Sequence, residues 1–231
     1  MGAAEGDAAN SAAELLNEIG ERLDELRAEL TPDQLRMLLA AVTALTAAGE
    51  DPREVRRALM RVRQALIPLP FDSPLRELAV EQMRSSPAAV VAVPDRAEAL
   101  LRQLTDLEAN LAAERVLAAA RRRLLNAPSR SGAELDPGPA ADPLGAGLIR
   151  LSDPERGARY PDFQFPVGAG SPHRVVAEVN RLLLADRDPW GAADWWLGGN
   201  RWLAGTPAEL IGSIPDERLT AAARALVEGE D

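Results

Sequence analysis

Few side chains of this 231-residue chain could carry out chemistry, because it has no cysteine and only one histidine. The lack of cysteine excludes a thiol nucleophile, a disulfide scaffold and cysteine-ligated zinc or iron-sulfur sites. His173 follows Pro172 at the start of a helical pattern, with no nucleophile or acid at a catalytic spacing, which favours a surface position. We therefore expect a protein that is not an enzyme and that uses neither a cofactor nor a metal.

Two weaker motifs also have simpler explanations. Asp186 and Asp188 could bind a hard cation, but no further ligands accompany them, and Asp188 before Pro189 is better explained as a helix N-cap. The glycines at 168 and 170 lack the GxxxxGK[ST] pattern of a phosphate-binding loop.

The charge balance argues against nucleic acid as a partner, because the net charge is -10. The one basic cluster, residues 121–123, is typical of a solvated helix C-terminus. The longest uncharged apolar run, residues 37–49, is about 13 residues long and so falls short of the roughly 20 that a membrane span requires. With no leader pattern at the N-terminus, we expect a cytoplasmic protein that does not bind membranes.

The first half of the chain shows repeated helix-start signals followed by Leu-rich patterns of helical period. These N-cap signals stand at Ser11, Thr31, Asp51 and Ser73. Another helical pattern covers residues 95–126, with a new capping box allowed at Thr105. The apolar stretch 88–93 has no partner strand, and we interpret it as a buried connector.

Composition divides the chain into parts. Residues 1–10 are predicted to be a flexible N-terminus and residues 11–127 a bundle-like helical domain. Residues 128–147 contain four Pro and four Gly, which predicts a linker or a long ordered loop. Residues 148–231 form a small helical module. The predicted fold class is therefore all-α, in two parts joined by a Pro/Gly-rich segment.

The C-terminal part holds seven of the eight aromatic residues, all between positions 160 and 202. Residues 148–166 could form a short hairpin or an extended segment, and Pro161 and Pro166 should keep it out of a central strand. Helices are predicted to follow from Pro172, from Asp188, briefly from Thr206, and over residues 215–227.

The order of motifs in residues 148–227 is informative. An extended aromatic segment precedes a helix, a Trp pair lies in the next helix, and an Asn-to-Gly turn and a Pro-initiated short helix follow; the residues are Tyr160, Pro161, Phe163, Gln164, Phe165, Trp195, Trp196, Asn200, Leu203, Gly205, Pro207 and Leu210. This succession resembles the toxin-binding domain of the Xre/MbcA/ParS antitoxin family. The resemblance implies an all-helical bacterial module that binds a RES-domain, NAD-consuming toxin and obstructs its active site with its C-terminal region.

The resemblance does not extend to DNA binding. Members of the family commonly carry a helix-turn-helix ahead of the toxin-binding part, and its place here would be residues 104–150. A recognition helix would have to pass through three prolines, at 137, 139 and 143, each of which breaks a helix interior. We therefore expect no operator binding.

The resemblance places the partner-binding surface near the C-terminus. Core positions are predicted for Trp195 and Trp202, although adjacent residues point about 100° apart on a helix, so one of Trp195 and Trp196 could remain exposed as an anchor. The predicted partner-binding residues are Trp195, Trp196, Asn200, Arg201, Leu226, Glu228, Glu230 and Asp231.

Two functions are compatible with these observations. The first is antitoxin-like neutralisation of a RES-type toxin. The alternative is a regulatory or structural adaptor that uses the same module to bind an unrelated protein, while its N-terminal helices form a homo-oligomer or dock another protein.

Overall fold

The chain is mostly helical and carries one small sheet. The computed structural model describes residues 2–49, 51–84 and 93–229, with side chains from residue 12 onward. Within these ranges 66% of the chain lies in 11 α-helices, and three short strands form one sheet. The all-α prediction is therefore correct for most of the chain and wrong for the sheet. Two compact units are present, Met1–Arg115 and Val116–Asp231.

The first unit is built from helices. Their bounds are α1 Gly2–Glu21, α2 Leu23–Glu29, α3 Pro32–Ala47, α4 Pro52–Leu66, α5 Pro74–Arg84 and, as far as Arg115, the long helix α6 Val93–Leu125. Leu, Val and Ala side chains from all of them bury one continuous core, in which the largest fully buried side chains include Leu15, Ile19, Leu38, Leu59 and Leu104. This arrangement satisfies the Leu-rich periodicity of the sequence.

Local capping determines several helix starts in this unit. Thr31 accepts a hydrogen bond from the backbone N–H of Gln34, and the Gln34 side chain accepts one from the N–H of Thr31, which completes a capping box. Asp51 caps α4 through the N–H of Arg53. The capping box that the sequence allowed at Thr105 does not form: the Thr105 hydroxyl donates to the carbonyl oxygen of Leu101, and α6 continues without interruption.

Helix α1 begins at Gly2, so residues 2–10 have a helical backbone where we expected a flexible N-terminus, and the helix start predicted at Ser11 is wrong because Ser11 lies within α1. Residues 88–92 of the expected connector lie outside the described residues, and Val93 is the buried first residue of α6.

The second unit contains the end of α6 and the motifs that carry the resemblance. Its further elements are β1 Ser129–Arg130, α7 Pro137–Ala141, β2 Leu151–Asp153, β3 Gly157–Pro161, α8 Arg174–Leu182, α9 Pro189–Leu197, α10 Pro207–Leu210 and α11 Asp216–Glu228. Trp196, Val176, Val179, Ala193 and Leu219 lie in the main core of this unit, and a smaller cluster forms around Tyr160 and Phe165.

The sheet has the strand order β1-β3-β2, and both pairings are antiparallel. Strands β2 and β3 form the hairpin that the sequence allowed. The expectation that Pro161 keeps this segment out of a central strand is wrong, because β3 pairs on both sides. Pro161 is the last residue of β3, opposite Ser129, where its missing N–H does not interrupt the strand.

Residues 128–147 belong to the second unit. Pro128 accepts a hydrogen bond from Asp162, β1 pairs with β3, and Leu135 packs with Leu148 and Tyr160. Of the two alternatives for this segment, the structure shows the ordered one. Distant residues supply the apolar surface that the segment lacks.

Candidate protein-binding site

The motifs behind the resemblance meet in a buried polar network. Trp196, on α9, donates from Nε1 to Asn180 Oδ1, on α8, at 2.7 Å. Asn180 Nδ2 donates to the Gly147 carbonyl at 2.8 Å and to Gln164 Oε1 at 3.1 Å. Gln164 in turn exchanges two hydrogen bonds with the backbone of Ile149. The network therefore joins α8, α9 and the segment that leads into the hairpin.

Burial determines what this network can do. Gln164 and Trp196 are fully buried, and Asn180 is 1% exposed. The Trp196 N–H and both the oxygen and the nitrogen of the Asn180 and Gln164 amides form hydrogen bonds inside the protein, which is the arrangement that rigidifies a core. The predicted binding residue Trp196 therefore lies in the core and does not reach a partner. The motif residues Gln164 and Trp196 hold the module together.

Trp195 lies between core and surface. It is half-buried, and its ring meets that of Trp196 edge to face, with centroids 5.0 Å apart. Its Nε1 is buried and has no hydrogen-bond partner among the described residues. Trp195 therefore packs against the core without being part of it, and offers part of its surface to solvent.

Asn200 builds a tight turn. The side chain is 8% exposed, and its Oδ1 accepts hydrogen bonds from the N–H groups of Trp202 and Leu203 at 3.0 and 3.1 Å. The backbone of Asn200 pairs with Gly205 across the turn. Asn200, predicted to bind a partner, instead has its side-chain oxygen occupied within the chain. We refer to residues 200–205 as the Trp202 turn.

The Trp202 turn presents an aromatic ring to solvent. Trp202 is 43% exposed, so the prediction that it is a core residue is wrong. The Arg201 guanidinium lies over this ring, 4.5 Å from its centroid, and Arg201 is itself exposed. Leu203 points inward and is 9% exposed. The sequence analysis placed Arg201 at the surface, in agreement with the structure, but did not predict that Trp202 is exposed.

The remaining predicted residues lie on α11 or beyond it. Leu226 is 49% exposed, Val227 is 56% exposed, and Glu228 is exposed at the last position of the helix. These side chains are accessible to a partner. Glu230 and Asp231 lie outside the described residues.

Other sequence candidates have structural roles. Asp188 accepts a hydrogen bond from the N–H of Gly191 and caps α9, as predicted. Arg123 forms an ion pair with Asp194, and Arg121 lies over the Trp190 ring at 5.4 Å. His173 is the N-cap residue of α8 and is half-buried.

The hairpin turn holds a carboxylate with a perturbed pKa. Asp153 accepts hydrogen bonds from the backbone N–H groups of Glu155 and Arg156. It also forms an ion pair with Arg156, in which Nε lies 2.6 Å from Oδ2. These interactions, the Glu155 N–H bond foremost, lower the pKa of Asp153 below its ordinary value. The group stabilises the turn in its charged form.

Asn180 is the residue that sequence reasoning missed. A signal was present: it follows Val179 and lies four residues after Val176, on the apolar face of an amphipathic helix. A polar side chain at such a position requires a buried partner. Nothing in the local sequence indicated that the partners are Gln164 and Trp196, each 16 residues away.

Comparison with known proteins adds no relative. No family model, no curated protein and no solved structure matches this chain. Within the described ranges, no group of three or more acidic or histidine side chains is placed to hold a metal ion. No helix in the described part of the chain combines the length and apolar character needed to span a bilayer.

Proposed function

We propose that the second unit is a protein-binding module and that the Trp202 turn is its anchor. The observation that carries the proposal is a large aromatic ring, 43% exposed, on a backbone turn held by two hydrogen bonds to the Asn200 side chain. Exposed Trp and Arg are the residue types most enriched at interface hot spots. A turn whose backbone is already held in place loses little conformational entropy on binding.

The specific form that we propose is antitoxin-like neutralisation of a RES-type, NAD-consuming toxin, without catalysis by this chain. Support comes from the resemblance over residues 148–227, whose Gln164 and Trp196 form the buried network. The exposed residues Leu226 and Glu228 on α11 would extend the contact toward the C-terminus. In this proposal the core motifs position the surface, and the surface residues determine which partner is bound.

An adaptor function is the alternative, and one observation in the first unit favours it. Phe71, in the loop between α4 and α5, is 91% exposed, with the Arg76 guanidinium 3.8 Å from its ring centroid. Phe71 also lines a surface pocket together with Arg76 and Val80, which suits a second binding surface anchored by an aromatic side chain. Such a surface would be outside the resemblance.

The test uses Trp202→Ala in the full chain, with RES-domain proteins of the same genome as candidate partners. We expect affinity to fall by about 2 kcal/mol or more, since a true anchor has been truncated. The melting temperature should stay close to that of the parent protein, because Trp202 belongs to neither core cluster of the second unit.

Trp196→Ala is the matched control, because it removes the same side chain from the core. It should lower stability by roughly 3 to 5 kcal/mol and lose binding only through unfolding. If Trp202→Ala binds as tightly as the parent protein, the Trp202 turn is not the anchor.

A further inference from the structure

A groove runs between α8 and α11 in the second unit, with a volume of about 550 Å³. Its lining on α11 follows one helical face, and Thr220, Ala221 and Ala225 supply small side chains there. Ala221 is exposed, whereas Thr220 is 8% exposed. Small residues allow a second helix to approach closely, at an interaxial distance near 8 to 10 Å.

Charged side chains border these small residues: Arg174 and Glu178 on α8, and Asp216, Glu217, Arg224 and Glu228 on α11. Glu217 and Arg224 are exposed on the groove side of α11. Neither forms an ion pair or a side-chain hydrogen bond with another part of the chain that the structure describes. The charges of Glu217 and Arg224 are therefore available to an external partner.

The order of the charges is self-complementary. Glu217 and Arg224 are seven residues apart, two helical turns, and so lie on the same face with Ala221 between them. When two copies of α11 align antiparallel about a twofold axis near Ala221, each Glu217 faces the Arg224 of the other copy. Such an isologous contact closes after two copies.

We propose that the α8–α11 groove is a self-association surface and that its occupant is α11 of a second copy of this chain. One helix pair buries less surface than the interfaces of stable complexes, so the dimer is weak and forms at high protein concentration. Salt weakens it, because exposed ion pairs contribute to it. The proposal does not depend on the partner proposed for the Trp202 turn.

The experiment is sedimentation equilibrium of the full chain over a concentration series reaching about 1 mM, which detects weak dissociation constants. The parent protein should show a monomer–dimer equilibrium. E217R and R224E should each weaken it about tenfold or more, because each variant places like charges opposite one another at two symmetric positions.

Mixing the two variants gives the sharpest result. An equimolar mixture of E217R and R224E pairs a copy that carries two cations with a copy that carries two anions, so dimerisation should return to the level of the parent protein. The matched control is R218E, which makes the same charge change at an exposed α11 residue outside the groove lining and should dimerise normally. Circular dichroism melts should show that every variant is folded.

Three results would contradict the proposal or its geometry. A parent protein that remains monomeric across the series overturns the proposal, as does a dimer that E217R and R224E leave unchanged. A dimer weakened by both variants but not restored in the mixture shows that the antiparallel α11 pairing is wrong.

Discussion

At the residue scale, the Asn180 side chain is the centre of the buried network, because it forms hydrogen bonds with Trp196, Gln164 and the Gly147 carbonyl at once. The sequence motifs indicated that Gln164 and one of the adjacent tryptophans, Trp195 or Trp196, are important to the module. It could not say which of two adjacent tryptophans is buried, because their 100° separation fixes only their difference in direction. That choice depends on where α8 lies relative to α9.

Replacing Asn180 with Ala should lower the free energy of unfolding by about 3 kcal/mol. The change leaves the Trp196 N–H and the Gly147 carbonyl without their hydrogen bonds, and each unsatisfied buried group costs about 1 to 3 kcal/mol. Urea denaturation of the full chain, followed by Trp fluorescence, provides the measurement. The control Asn126→Ala, at an exposed site, should change stability by no more than about 0.5 kcal/mol, and equal losses in the two variants would show that the network is unimportant.

The Asp153 carboxylate gives a pH-dependent prediction. Its pKa is lowered in the folded state, so its stabilising contribution is present above the unfolded pKa, near 4, and is lost as the pH falls through the folded value. Asp153→Asn should therefore be less stable than the parent protein at pH 7, and the difference should shrink below pH 4. Thermal melts from pH 7 to pH 2.5 measure this difference, and a constant difference across the range would contradict the assignment.

At the element scale, the helix starts with local side-chain caps were predictable, whereas the start of α1 and the sheet were not. The caps at Thr31, Asp51 and Asp188 act within three residues, so the sequence contains all the necessary information. Strand β1 has two residues and pairs with β3 about 30 positions later, so no local sequence pattern predicts this strand. The ordered segment 128–147 is missed for the same reason, since its stability comes from distant contacts.

The capping box of α3 provides a quantitative test. Thr31→Ala should cost about 1 kcal/mol of stability, because the N–H of Gln34 loses its acceptor. Thr43→Ala, in the exposed middle of the same helix, should be neutral or slightly stabilising, since Ala is the better helix former. Chemical denaturation compares the two variants, and equal effects would mean that the cap contributes nothing.

Alanine substitutions at two glycines would separate the cost of backbone strain from the cost of steric contact. Gly147 and Gly157 both have positive φ, +73° and +76°. A Cβ at Gly147 would lie 2.9 Å from the Ala177 carbonyl oxygen, whereas one at Gly157 would meet nothing within 4 Å. Gly157→Ala should therefore cost only the strain of about 1 to 2 kcal/mol.

Gly147→Ala should cost more than Gly157→Ala, because backbone atoms must move to admit the methyl group. The difference between the two unfolding free energies, measured in urea, gives the steric contribution at the point where the chain passes α8. Equal losses would indicate that the close approach at Gly147 is unimportant.

At the scale of the whole molecule, the chain consists of two units with separate cores. Composition predicted two parts and placed their division at the Pro/Gly-rich segment. The units divide instead at Arg115 and Val116, within the Ala-rich part of α6. Continuous helical periodicity conceals such a division, because alanine supports a helix whether or not the helix is packed against a core.

The most direct test of the central proposal is the rate of NAD consumption by a RES-domain protein of the same genome, titrated with this chain and with Trp202→Ala. We predict that the parent protein inhibits at near-stoichiometric ratios. Trp202→Ala should require at least about tenfold more protein for the same inhibition, at an unchanged melting temperature. Equal inhibition by the two proteins, or no inhibition of any such enzyme by the parent protein, would contradict the account.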